Sequence, residues 1–265
     1  MARIAIAVVA LAPIFRIYRG IIWPHLPGMQ RDLQPILAIA APAILAQIAT
    51  PVGQAFVTRM MASYGEAAVA GMAVVGRLTP VAFGIIFALS GAVGPIVGQN
   101  YGAGAIDRVK SGFNAAIAFT ALVIVVVSAV LFLMRGAIAD LFDATGVARD
   151  LIYLFCGPLS LAFFFPGVLF VANAAFNNLG HPLLSTLTNW GRNAVALIPL
   201  VLAGSYFGGA KGILIGQSLA GILFGLIAWV LALRVIERAG AGPATVKPQI
   251  FGREGRLMTL FNERR

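Results

Sequence analysis

GQNYGAGAIDRVKSG, residues 98–112, is a glycine-rich loop carrying Asp107, Arg108 and Lys110 between two long apolar runs. The run before it, 78–99, holds no charged residue, and neither does the run after it, 115–134. A helix needs about 20 mostly apolar residues to cross the hydrocarbon core of a bilayer. A charged loop between two such runs therefore sits at a membrane surface. Its glycines, Gly98, Gly102 and Gly104 among them, permit a tight reversal, and Asp107 is placed to cap the helix after the loop.

Composition agrees along the whole chain. Of 265 residues 60% are hydrophobic and 11% charged, and the mean hydropathy is +0.94. Soluble domains carry about a quarter of charged residues, so a soluble fold is excluded. Six long apolar runs can be drawn: 33–58, 78–106, 115–134, 151–180, 193–210 extended backward through 183–191, and 212–233. Their irregular Gly, Ala and Ser content does not alternate as a lipid-facing barrel must, and helices satisfy their own backbone in lipid. The expected fold is all-α, a polytopic bundle of six transmembrane helices preceded by a short hydrophobic segment. Residues 1–32 then form a partial or interfacial helix and a cytoplasmic loop, 33–238 the six-helix lobe, and 239–265 a basic cytoplasmic tail. The run 4–15 lacks a small-residue cleavage site and meets Pro13 and Arg16 instead, so it reads as a clipped crossing rather than a signal peptide. Prolines interrupt the spans, Pro80, Pro158 and Pro166 among them, and each tends to kink its helix.

The net charge of +10 raises the question of nucleic acid, and its distribution answers otherwise. Arg16, Arg19, Arg31, Arg108, Lys110 and the tail from Arg234 onward fall on alternate loops, while the opposite loops hold Arg135, Arg149 and Lys211 beside Asp140, Asp143 and Asp150. That asymmetry follows the positive-inside rule and places loop 98–112 and the C-terminus in the cytoplasm of, by expectation, a bacterial inner membrane. The partners expected are the bilayer and a small organic substrate. Cys156, the one cysteine, excludes a disulfide within the chain.

The nine acids fall in loops, at span ends or in the tail, so no mid-membrane carboxylate offers a proton or sodium site. His25 and His181 have no zinc spacing, and no P-loop or nucleophile elbow is present. Neither an enzyme, a metal centre nor a bound cofactor is expected. The first run is more informative: Gln47, Thr50, Gln54 and Thr58 recur at intervals of three and four and share one helical face. Such a stripe points inward, either as the wall of a hydrated substrate cavity or as a seam of interhelical hydrogen bonds. Asn173 and Asn177 share a face likewise; Asn177 and Asn178 read as structural residues near the surface, and Asn173 remains a cavity candidate. Arg77 and Arg192 fall near span ends as drawn, which predicts snorkelling to the interface rather than substrate contact.

Three strings taken in order, EAAVAGMAVVGRL at 66–78, the loop at 98–112 and NAAFNNLGHPLLSTLTNWGR at 173–192, resemble the multidrug and toxic compound extrusion (MATE) family of secondary transporters over roughly 33–238. In the loop the resemblance rests on Gly98, Gln99, Asn100, Tyr101, Gly102, Asp107 and Arg108. It implies about twelve helices in two six-helix lobes, of which this order looks like the second. It also implies export of organic, often cationic compounds in exchange for protons or sodium, with a complementary N-terminal lobe or a second copy as partner. Gln47 and Gln54 stand where many relatives carry an acid in the corresponding helix, so this chain shows no clear site for the coupling ion. Two alternatives are a lipid-linked oligosaccharide flippase of the wider superfamily and a non-transporting scaffold. A basic cavity lining would favour the flippase, and the neutral stripe does not.

Overall fold

A computed structural model of the chain describes Leu11 and residues 26–241. The short N-terminal apolar segment, its flanking loop and the tail beyond residue 241 lie outside the described residues. By internal contacts the chain divides into a unit ending at Ala41 and a compact unit beginning at Pro42. The packed core lies in the second unit.

Among the described residues every regular element is helical: α1 Leu26–Ala62, α2 Glu66–Ala82, α3 Gly84–Gly102, α4 Ile106–Leu141, α5 Gly146–Leu154, α6 Phe164–Asn178, α7 Pro182–Trp190 and α8 Leu197–Ala241. A π-helical segment, Phe155–Leu159, and the short turn Ser160–Ala162 join α5 to α6; a second π-helical segment, Gly191–Ala196, joins α7 to α8. Two of the rods are bent. α2 meets α3 at 48°, and the rod Gly146–Ala162 meets α6 at 47°. Prolines flank both bends, Pro80 before the first, Pro158 and Pro166 around the second, and each removes a donor from the helical ladder.

By length and hydropathy, Ile106–Leu141 and Pro182–Gly240 can cross a membrane, and so can each bent pair taken as one span. The 59-residue stretch from Pro182 is two rods. Gly209 breaks it with φ 56° and ψ −139°, and beyond it the chain folds back so closely that a Cβ on Gly212 would overlap the Gly204 carbonyl and one on Gly216 the Leu200 carbonyl. With α1, which is not among these crossing candidates, the described residues make six rods, as many as expected. The second rod starts earlier than drawn, at Glu66 rather than Leu78, because Arg77 splits one apolar stretch in two and the helix continues through it.

The ends of the rods gather as alternate crossing requires. At one end Tyr64 Oη lies 2.9 Å from the Ser205 carbonyl, Lys211 pairs with Asp150 at 2.9 Å and Arg149 with Asp140 at 3.0 Å. At the other, Ile106 lies against Gly240, so loop 98–112 and the end of α8 share a side. Buried apolar residues fill the space between in two clusters. One centres on Val57, Phe83, Ile152 and Ile213, the other on Phe113, Leu169, Phe176 and Ile236.

Loop 98–112 is a structural turn. Gly104 adopts φ 70°, Ala105 N–H bonds the Asn100 carbonyl at 2.9 Å, and Gly104 N–H bonds that of Tyr101 at 3.0 Å. Asn100 Nδ2 donates to the Ile96 carbonyl, and the Gln99 carbonyl accepts from Ala103 N–H. Gly94 and Gly98 form a shallow groove filled by Asn178. The expected cap by Asp107 is corrected: the N-cap of α4 is Ala105, with no side-chain cap. Asp107 stands in the first turn, where its charge faces only the positive end of the helix dipole. Arg108 is exposed.

Candidate functional site

Two cavities open along the polar face of α1. The first, of about 380 Å³, is lined by Gln54 of α1, Gly76, Thr79 and Pro80 of α2, the aromatic rings Phe155 and Phe163, Arg192, and Gln217 and Ser218 of α8, among others. The second, of about 340 Å³, is lined by Gln47 and Thr50 of α1, Ser90, Phe170, Asn173, Asn177, Ser185 and Asn189, among others. The i, i+3, i+4 spacing thus brings three of the four stripe residues to cavities. Thr58 is exposed and lines neither. Gln47 also borders a shallow apolar depression with Ile44, Ile48 and Pro51.

The broken helices explain why the first cavity exists. A proline at i leaves the carbonyl at i−4 without its helical donor. For Pro80 that residue is Gly76 and for Pro166 it is Ala162; all four line the first cavity. Backbone freed at membrane depth is tolerated where it lines a hydrated cavity. Phe83 lies at the first bend and stacks on Phe163 at the second, 4.0 Å between centroids and 6° between planes, so the two bends brace each other.

α1 is held to the rest of the unit by contacts with Trp190 and the second π-helical segment. Trp190 Nε1 donates to the Leu45 carbonyl at 2.9 Å, and a Cβ on Gly53 would stand 2.8 Å from the Asn193 carbonyl. Only glycine permits that approach. In the second cavity Thr188 Oγ1 donates to Asn173 Oδ1 at 3.1 Å, so Asn173 faces the cavity while tied to α7. Asn177, expected as a structural surface residue, lines the cavity too; Asn178 keeps its structural part, bonding the Ala174 carbonyl and packing on Gly94 and Gly98.

Arg192 is the residue whose placement sequence reasoning missed. Snorkelling from a span end is corrected: Arg192 lies in the π-helical segment inside a continuous rod, ten residues past Pro182 and so about 15 Å along it at 1.5 Å per residue. It is half-buried, lines the first cavity and rests over the Phe170 ring at 5.8 Å. Phe170 lines the second cavity, so this pair stands between the two. Arg77 is likewise inside its rod rather than at an end, exposed and outside both cavities. Among the residues lining the two cavities, Arg192 alone is charged. No cluster of acids, histidines or cysteines that could hold a metal is present among the described residues.

The sequence model of the MatE family matches residues 42–202. The chain belongs to the MATE family. Its members are transporters, and the helical order of this chain is that of one lobe. The chain is 27% identical over 216 residues to a protein of Shewanella oneidensis named a FAD transporter, covering 82% of this chain and 48% of that one. It is 32% identical over 224 residues to an uncharacterized 21 kDa protein of Pseudomonas savastanoi, covering 80% and 70%. Among solved structures, a MATE transporter in the straight conformation superposes with a TM-score of 0.78 at 18% identity, over 90% of this chain and 55% of that one. The Vibrio cholerae MATE transporter VcmN in the bent form gives 0.76 at 21%, over 90% and 54%. The chain therefore spans about half the length of the transporters it matches.

Proposed function

We propose that the chain forms one wall of an export pathway for small organic solutes, working as one lobe of a MATE-type secondary transporter. The observation that carries this reading is the alignment of Gln47, Thr50 and Gln54 on two cavities at the broken helices. A polar face of that length and two proline-bent rods give hydrated space at membrane depth, where alternating-access transporters hold their substrates. The relative named a FAD transporter supports an aromatic organic solute as cargo. An organic cation rests on the family resemblance alone; no acid lines either cavity. Proton or sodium coupling therefore needs a carboxylate from elsewhere in the complete transporter. The bacterial inner membrane, with loop 98–112 cytoplasmic, is the setting the charge asymmetry supports. Arg192 is the single feature in favour of a flippase for a phosphate-linked lipid, and the family match over 42–202 weighs against it.

Cysteine accessibility tests the reading. In a Cys156→Ser background reconstituted in bilayer, a membrane-impermeant thiol reagent should label cysteines at Gln47, Thr50 and Gln54. It should leave Ala49→Cys and Val57→Cys, both fully buried, unlabelled. Equal protection at all five positions would make the stripe a packing seam and end the proposal.

A further inference from the structure

We infer that the first cavity is an anion subsite: Arg192 receives the carboxylate, sulfonate or phosphate of an aromatic organic anion, and Gln217 Oε1 accepts a hydrogen bond from a donor on the same ligand. The inference rests on the transporter reading and adds the charge of its cargo.

The argument begins with an unpaired cation. Arg192 has no hydrogen bond or ion pair with any described residue, and its one specific contact is the Phe170 ring. A guanidinium offers five N–H donors in a fork that matches an oxyanion, and a ring face satisfies none of them in the way an oxygen does. Leaving a charged side chain at the bilayer centre costs several kcal/mol unless water or a counter-charge meets it. Nothing acidic lines the cavity around it. Such a residue is retained there at a cost in stability, and a bound anion is the natural way to offset it.

A second observation is independent of the charge. Gln217 Oε1, of a residue lining the same cavity, is buried with no hydrogen-bond partner; Gln54, also lining it, is exposed. Buried amides are normally satisfied; an orphan on a residue that lines a cavity marks a place where a ligand's polar atoms belong. The neighbouring hydroxyls are already engaged. Thr79 donates to the Val75 carbonyl at 2.8 Å and Ser218 to the Leu214 carbonyl at 3.0 Å. The free cationic donor left to a ligand is thus the guanidinium, which suits an oxyanion, while the Gln217 Oε1 acceptor suits a hydroxyl or N–H donor elsewhere on the same ligand.

The rest of the wall is aromatic. Phe155 and Phe163 line the cavity beside Arg192, and Phe163 is locked by its stack on Phe83. Rigid rings next to a single cation favour a planar aromatic body with an anionic group. An organic cation of the same shape would meet Arg192 as a like charge with no compensating acid.

Fluorescein and rhodamine 6G share a xanthene core and carry opposite charge, so they separate charge from shape. Binding is measured by equilibrium dialysis against the full chain in phosphatidylcholine nanodiscs, with empty discs subtracted. The expected result is tighter binding of fluorescein than of rhodamine 6G. Arg192→Gln should weaken fluorescein by about ten-fold or more, the scale of a lost charge-assisted hydrogen bond, and leave rhodamine 6G unchanged or tighter. Gln54→Glu, which sets a carboxylate in the same cavity as the intact arginine, should have the same effect and serves if Arg192→Gln does not fold. Rhodamine 6G binding more tightly than fluorescein to the unaltered chain, or fluorescein affinity unchanged in both variants, would overturn the anion subsite while leaving the transporter reading in place. Binding of neither dye would overturn both.

Discussion

The residues that matter most are the ones that let α1 approach its neighbours while keeping its polar face open. Trp190 reaches the Leu45 carbonyl through one N–H, and Trp190→Phe removes that donor while keeping an aromatic ring in place. The expected cost is about 0.5–1.5 kcal/mol, with faster amide exchange in α1 around Leu45 than elsewhere; unchanged exchange there would show that the bond does not hold the helix. The polar stripe was legible in sequence because helical periodicity is a local property of Gln47, Thr50 and Gln54. Arg192 was not, because its own charge divides the apolar run into 183–191 and 193–210 and so sets it at the edge of each part. The one available signal was Pro182, a favoured first residue of a helix, from which Arg192 falls mid-bilayer by counting. Asp107 misled in the opposite way, since its spacing after the glycines suits a cap and the backbone begins the helix two residues earlier.

Among the elements, the hairpin at Gly209 and the two bends set where the cavities lie. The hairpin depends on contact between backbones at Gly204 and Gly212, so Gly212→Ala must displace one rod from the other. A loss of about 1–3 kcal/mol is expected, as for overpacked cores. Gly208→Ala is the control, because a Cβ there meets nothing within 4 Å. It should be neutral or slightly stabilising; thermal unfolding in detergent that ranks the two variants alike would contradict the close packing. The bends follow from the prolines, but that both release a carbonyl beside one cavity is not legible in sequence, because it needs the two rods side by side. The early start of α2 was hidden by Arg77, whose charge ends the uncharged run that the apolar residues 67–76 would otherwise extend.

For the whole molecule, the family, the helical class and the half-length were legible from three short strings in order, while the contents of the cavities were not. Orientation is testable apart from transport. Lys110→Cys in the Cys156-free chain should escape an impermeant label in intact cells, and labelling there would reverse the topology. The central proposal is that this chain supplies one wall of a pathway, with no acid among the residues lining its two cavities. Its most direct test is reconstitution of the purified chain in liposomes with imposed proton and sodium gradients, with fluorescein and rhodamine 6G as the solutes. The account expects no gradient-driven accumulation of either dye by the chain alone, beyond slow uncoupled leakage. Concentrative, ion-dependent movement of either dye by this chain alone would contradict it.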